Sequence, residues 1–549
     1  MNDYPIILRL LEYYRSYFPW LIIAISLNTL FLVYINKKLN KTGFASDEIK
    51  HDGLLKSQLI GPMLFMLTVA FLFSINLGLD EFDSMEGVNA MIAKWIISKH
   101  SLWFINFMLM FAHQPLYPLI LNLLIRLSGW EHFGVLLRSV SVFWGVLVVY
   151  LTYRFSAKII NNKLIVYFTA AFLCAHSLFY FYARRGEGYS FFCFFALLSC
   201  YYFWDVFIRG KTSKLWKYII VNIFCFFIHY LTLFIILSQL IAMVLLKWHR
   251  YTLPVKSMTR FIKALIIFCF TVILSAPGIW LSILNNEFLF ENNWQNNFYL
   301  GKGYFLTIVN NVIRLVLGTP QGTPFIYLYL LIFIIIISKI RKYNLPFFTL
   351  VIGIFLSGIF YEATFLFTPW KAIGKFYPNF RHLVWMAPFT AMVYGYGVYM
   401  LSKQTKFRKF AGCSILAIPL LWNIHQSYDI CFKPQTPAYT KVANFIKTKC
   451  QKDDFIGRPV SWIDPFVYGE QKYPYNVKRG EINTDNFPEI KSKYKRVWAL
   501  MAHEDYFGVP HYNPESINNW FKLLNQDLSL VKTWHAYKMD VYLFTTTHD

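Results

Sequence analysis

The sequence predicts a mostly α, polytopic helical membrane protein that ends in a small soluble α/β domain. Three observations carry this. Of 549 residues, 56% are hydrophobic, 20% aromatic and only 15% charged, far more apolar surface than a soluble core can hide. The apolar residues fall into runs separated by short clusters of Lys, Arg and Asn. After about residue 432 that pattern stops.

A transmembrane helix needs about 20 mostly apolar residues. Runs of this kind lie near 18–35, 60–79, 134–152, 164–182, 188–208, 218–229, 231–246, 264–284, 324–338, 345–362, 382–401 and 410–425, about twelve in all. The first, Pro19 to Tyr34, is followed by no small-residue cleavage site and is expected to be a retained helix. The connections 153–163, 209–217, 247–263, 339–342 and 403–409 together hold nineteen Lys or Arg and no Asp or Glu. Such loops face the cytoplasm, so the net charge of +24 reports topology and not a nucleic-acid partner. The intervening connections are mixed: Asp80, Glu81, Asp83 and Glu86; Arg184, Arg185 and Glu187; Glu287 and Glu291; Glu362 and Arg381. These are expected outside, with everything after residue 425.

Residues 115–128 are apolar but short and carry Arg126. A full span there would invert every later loop and place the basic connections outside, so an interfacial helix within one external segment, 80–133, is expected. In that segment Asp83 and Glu86 resemble a capping box, and Val88, Met91, Ile92, Trp95 and Ile96 recur at helical spacing, the pattern of an amphipathic helix on the membrane surface.

From 432 to 549, strand-like pieces (Arg496 to Leu500, Val541 to Thr545) alternate with helical ones (437–449, 514–525), as in a small α/β domain. The expected division is an extra N-terminal helix and cytoplasmic loop (1–59), a transmembrane catalytic unit (60–431) and this external domain. Of eight cysteines, six lie in apolar runs and serve as small packed hydrophobes; Cys431 and Cys450 lie in polar sequence, where free thiols are favoured over a disulfide.

Four features on the outer face bear chemistry. Asp80 and Glu81 directly follow a span, and carboxylates so close to hydrocarbon are costly without a task. Either can serve as general base toward an acceptor hydroxyl or amine, whereas Asp83 and Glu86 read as helix capping. His113 precedes Pro115 at the start of the interfacial helix, where it either meets a lipid phosphate or anchors the interface. Arg184, Arg185, Glu187 and Tyr189 crowd one very short turn; arginines there can grip phosphate oxygens in pairs, and the bland reading is a local ion pair beside an aromatic-belt tyrosine. His229 with Tyr230, and Arg381 with His382, sit at helix ends on the same face, where a histidine is as often a polar tip among headgroups. Basic groups steadying a phosphate leaving group while a carboxylate takes a proton fit this inventory, with no nucleotide site needed. No metal-ligand spacing is present.

Taken in order, the acidic pair after an early span, the amphipathic external helix, the His-x-Pro-Leu-Tyr opening, the short external turn, the His-Tyr pair and the Arg-led late span resemble the GT-C superfamily of membrane glycosyltransferases. More narrowly, they resemble its protein O-mannosyltransferase and aminoarabinose (lipid A) transferase branch. The resemblance implies a polyprenyl-phosphate-sugar donor, a lipid, glycan or protein acceptor, and no required cofactor. It implies that Asp80 acts as base or positions the acceptor with Glu81 beside it, and that His113 stands where a Lys often contacts the donor phosphate. In many relatives the short turn reads acidic, Arg, Tyr; here Arg185 and Glu187 reverse the first two before Tyr189. A bacterial inner membrane, with site and C-terminal domain on the periplasmic side, is the expected location. The competing class is a transporter or flippase of lipid-linked saccharides, which predicts polar residues deep in several spans, whereas these spans read as nearly free of them; a non-catalytic scaffold leaves the charged turns unexplained.

Overall fold

The computed structural model describes residues 60–77, 86, 116–117, 120–121, 123–124, 133–275, 326–367, 380–404, 406–433, 438–458, 477–502, 505–506, 509–510 and 514–546. Asp80, Glu81, His113, the first expected span and the amphipathic helix after Glu86 lie outside the described residues.

Helix α1 (Ile60–Ser74) is followed by α2 (Phe133–Ile159), α3 (Lys163–Ala175) and α4 (Ser177–Arg184). Helix α5 (Tyr189–Phe203) closes in a π-helical turn, Trp204–Ile208. Then come α6 (Leu215–Ile228), α7 (Thr232–Trp248), α8 (Ser257–Ser275), α9 (Ile326–Tyr343) and α10 (Leu345–Phe367). A 3₁₀ segment, Phe380–Met386, leads into α11 (Ala387–Ser402), and α12 (Lys406–Phe432) ends the helical region. Every expected span from 60–79 onward overlaps one of these helices. By length and composition, among the described residues, Gly134–Ile159 and Tyr189–Ile208 can each cross a bilayer, and α3 with α4 can do so together.

Met63, Leu64, Leu67 and Phe71 on α1 are exposed, as are Phe143 on α2, Ile266 on α8 and Ile334 on α9. Outward apolar faces on helix after helix suit lipid and not water. Between the helices the packing is aromatic: Trp144 of α2 meets Phe191 of α5 with ring centres 4.5 Å apart, and Phe172 of α3 stacks on Tyr394 of α11 at 4.8 Å.

Two expectations about the spans are corrected. The run 164–182 is not one straight helix, because α3 and α4 meet at 65°. His176 leaves the helix in an extended conformation and its Nδ1 accepts the Phe179 amide at 3.3 Å, while the Ser177 amide donates to Asn423 Oδ1 of α12 at 2.9 Å. Side chains thus satisfy the backbone groups freed by the break. Nor are the spans free of polar groups: buried Gln239 of α7 donates to Ser199 Oγ of α5 at 2.8 Å, Ser199 donates to Asn222 Oδ1 of α6 at 2.8 Å, and Tyr218 donates to Gln239 Oε1 at 2.5 Å.

The C-terminal region is α/β. Helix α13 (Tyr439–Lys449) precedes β1 (Asp454–Arg458), β2 (Lys478–Glu481), α14 (Phe487–Lys493) and β3 (Arg496–Ala502). A short ribbon, β4 (Asp505–Tyr506) with β5 (Val509–Pro510), then α15 (Pro514–Asp527), β6 (Leu528–Ala536) and β7 (Met539–Thr546) complete it. The main sheet runs β2-β1-β3-β7-β6, parallel at β2/β1/β3 and antiparallel at β3/β7/β6. Alternation along β3 divides two cores. Val497, Ala499 and Met501 pack with Phe487, Ile490, Trp520 and Leu524 of α14 and α15, while Trp498 and Leu500 belong to the core that includes Val442 and Ile446 of α13. Cys431 and Cys450 are free thiols, and Cys431 Sγ lies 3.6 Å from the Ile75 carbonyl oxygen.

Candidate active site

The bend at His176 aims α4 so that its last residue, Arg184, and the turn after it meet the end of α1. That turn demands glycine twice. A Cβ on Gly186 would fall 1.5 Å from Leu137 Cδ2; Gly188, at φ +80°, opens α5 in the left-handed region and lies against the Tyr117 ring. With no side chain at 186 the backbone can approach Glu86, and the Gly186 amide donates to Glu86 Oε1 at 2.7 Å.

Glu86 is fully buried. Arg138 of α2 grips it with both arms of its fork, Nε to Oε1 at 2.9 Å and Nη2 to Oε2 at 2.7 Å, and Arg185 Nη1 adds a contact to Oε2 at 3.3 Å. This overturns the reading of Glu86 as a helix cap: it is the hub of a buried ion network. Burial by itself would raise its pKa, but the charge and hydrogen bonds of Arg138, then the charge of Arg185 and the Gly186 amide, hold it down at about 2. Arg138 also donates to the Leu77 carbonyl at 3.0 Å.

Arg184 differs from its neighbour. Its Nη1 donates to the Tyr180 hydroxyl at 2.7 Å and its Nη2 to the Ile75 carbonyl at 2.5 Å, with the guanidinium over the Tyr180 ring at 5.1 Å. Those partners are neutral. Asn76, Leu77, Arg138, Phe181, Arg184, Arg185 and Ile430 line a small open cleft. Glu187 belongs to the same turn, its carboxylate shielded from solvent. Tyr117 donates to or accepts from Ser141 Oγ at 3.2 Å; burial pushes its phenol pKa up, helped by the charges of Glu86 and Glu187.

The aromatic and imidazole residues gather at the same end of the helices. Tyr189 at the start of α5 lies with its ring centre 6.0 Å from His229 and 5.8 Å from His382, and the two imidazoles are 5.7 Å apart. Tyr230 packs on His229 at 4.5 Å. His382 Nδ1 is hydrogen-bonded to the hydroxyl of buried Tyr361. His229 Nδ1 accepts the Leu231 amide at 3.2 Å, so a neutral His229 carries its proton on Nε2. Arg381 is the second residue of this cluster's 3₁₀ segment, with its side chain outside the described residues. Residues separated by as many as 198 positions, Arg184 to His382, thus share one end of the bundle, and Tyr182, packed on Tyr189 at 5.5 Å, joins the imidazole cluster to the arginine turn.

Arg138 is the residue that sequence reasoning missed. Its signal was present, an ionisable residue inside an expected span, which is a site candidate by default. The same signal marks Asp205, near the opposite end of α5. Lys158 Nζ meets its Oδ1 at 2.5 Å and Lys214 Nζ its Oδ2 at 2.6 Å, with the Lys158 ammonium 3.1 Å from the centre of the Tyr201 ring. Between the two ends run the 20 residues of Tyr189–Ile208, about 30 Å of helix and about one hydrocarbon thickness. Among the described residues no group of three or more His, Cys, Asp or Glu could hold a metal ion.

The architecture can be compared with known proteins. ArnT from Cupriavidus metallidurans in the apo state superposes with a TM-score of 0.52 at 11% identity, covering 88% of this chain and 98% of that one. The chain has the fold of ArnT. ArnT from the same organism bound to undecaprenyl phosphate matches with a TM-score of 0.50 at 12% identity over the same shares of the two chains. The mostly helical architecture with a small C-terminal sheet expected from the sequence is therefore that of a known membrane-protein fold. No protein-family model and no curated protein sequence matches the chain.

Proposed function

We propose that this chain is a glycosyltransferase that moves a sugar from a polyprenyl-phosphate-linked donor to a lipid, glycan or protein acceptor. The observation that carries the reading is the cleft, lined by three guanidinium groups of which two pair with the Glu86 carboxylate and the third, Arg184, pairs with no carboxylate among the described residues, an arrangement suited to a phosphate. The cleft lies at the end of the helices opposite the Lys- and Arg-rich connections, which supports a non-cytoplasmic site by the positive-inside rule. In a bacterium this is the periplasmic face of the inner membrane. The GT-C fold and the undecaprenyl phosphate held by ArnT support the same assignment.

In this reading the acceptor oxygen or nitrogen attacks the anomeric carbon as the bond from that carbon to the phosphate oxygen breaks. Asp80 takes the acceptor proton, Glu81 orients the acceptor, and the electron pair leaves with the polyprenyl phosphate. His113, Arg381 and the arginines of the turn stabilise that charge, while Tyr189, His229, Tyr230 and His382 line the space for sugar or acceptor. No cofactor is required by this chemistry.

The test is transfer from radiolabelled polyprenyl-phosphate sugar by the purified chain in detergent. Asp80→Asn is expected to lower the rate about 100-fold or more with expression and melting unchanged; full activity in that variant removes Asp80 as the base. A chain that transfers nothing in detergent yet moves lipid-linked saccharide across sealed vesicles is a transporter, and the proposal fails.

A further inference from the structure

The three arginines of the cleft are not equivalent. Arg138 and Arg185 both spend a guanidinium on the buried Glu86 carboxylate, at 2.7 and 3.3 Å. Arg184, only 7% exposed, makes no ion pair among the described residues; its hydrogen-bond partners there are a phenol and a peptide carbonyl. A buried cation held only by neutral dipoles is costly unless an anion completes it. We infer that Glu86 is a positioning residue that neutralises and fixes Arg138 and Arg185, leaving the Arg184 guanidinium as the member of the trio that takes the phosphate of the lipid carrier. This rests on the glycosyltransferase reading and divides its phosphate site between structural and ligand-binding arginines.

Each part of the arrangement serves that division. The Arg138 fork ties α2 to Glu86, and its third arm holds the Leu77 carbonyl next to the cleft. The Gly186 amide on the same carboxylate fixes the turn immediately after Arg184. Arg184 is in turn aimed by Tyr180, whose hydroxyl also donates to the Leu72 carbonyl at 3.0 Å. A phosphate can therefore meet a preset donor without breaking an ion pair first.

The test uses the full-length chain in nanodiscs with undecaprenyl phosphate as the probe, binding being read by native mass spectrometry and inorganic phosphate serving as a tail-free competitor. Arg184→Gln is expected to weaken binding at least tenfold with melting little changed, and Arg184→Lys to recover part of it. Glu86→Gln, which frees two further guanidiniums, is expected to keep or tighten binding while transfer falls at least tenfold. A merely structural role would lose both together. Should Glu86→Gln not fold, the pair Glu86→Gln with Arg138→Gln removes the tighter of the two buried ion pairs as a unit, leaving one stranded guanidinium instead of two, and is expected to bind like the parent. Binding unchanged in Arg184→Gln but lost in Arg185→Gln overturns the division while sparing the glycosyltransferase reading. A parent chain that ignores undecaprenyl phosphate overturns both, and inorganic phosphate competing on equal terms excludes the lipid carrier as the ligand.

Discussion

Two buried carboxylates, Glu86 and Asp205, each hold two cations near opposite ends of α5, yet they make different devices. Around Asp205 the charges close on themselves: Lys158 from α2 and Lys214 from the turn before α6 occupy one carboxylate oxygen each, and Lys214 remains 31% exposed. Around Glu86 the partners are arginines 4% and 5% exposed at the side chain, a backbone amide joins them, and a third guanidinium stands beside the hub at an open cleft. One is a latch between helices. The other is a latch with a surplus charge offered to a ligand. Burial of a carboxylate therefore does not mark a site by itself; what marks it is positive charge left over after the carboxylate is satisfied.

The comparison is broken most directly by removing each carboxylate. Glu86→Gln strands two buried guanidiniums, and losing one member of such a network costs about 3–5 kcal/mol. Asp205→Asn leaves Lys214 free to turn toward water, so about 1–3 kcal/mol is expected. Denaturant or thermal unfolding in detergent measures both; equal losses would mean the two networks are alike. Transfer activity separates them further, since Asp205→Asn is expected to change it less than twofold.

Acid sharpens the same contrast. The folded pKa of Glu86, about 2, lies below its ordinary 4.5, so the ionised form is favoured by folding. Its contribution is complete above pH 4.5 and is lost as pH falls from there toward 2. The parent is thus expected to lose melting temperature between pH 5 and pH 3 by more than Glu86→Gln does over the same range. Parallel curves for the two proteins would show that Glu86 is not held ionised.

Much of this was readable in the chain and some was not, for a physical reason. Apolar runs and their length located the helices, and β3 and β7 stood out as short apolar, strand-like pieces in otherwise polar sequence, because burial against lipid or within a sheet writes itself residue by residue. The cluster at Arg184, Arg185, Tyr189, His229 and His382 was legible as a set because the positive-inside rule assigns a whole face at once. The partners within it were not. Glu86 fits a cap as well as a hub, and only the approach of Arg138, 52 positions away, decides between them. The break at His176 was equally hidden, since the Asn423 that satisfies it lies on α12, 246 positions on from Ser177.

The smallest expected effect belongs to the neutral network midway along α5, where Ser199, Asn222, Gln239 and Tyr218 hydrogen-bond with no charge at all. Hydrogen bonds between membrane helices contribute about 0.6 kcal/mol on average, because the separated helices find other partners. Gln239→Leu removes the acceptor of the Tyr218 hydroxyl and the donor to Ser199, yet Asn222 still accepts from Ser199 and still ties α6 to α5. A loss of about 1 kcal/mol, with transfer unchanged, is therefore expected from unfolding curves in detergent. If Gln239→Leu instead abolished transfer at unchanged stability, polar groups deep in the helices would be part of the working path, and the division between ionic ends and a neutral middle would have to be redrawn.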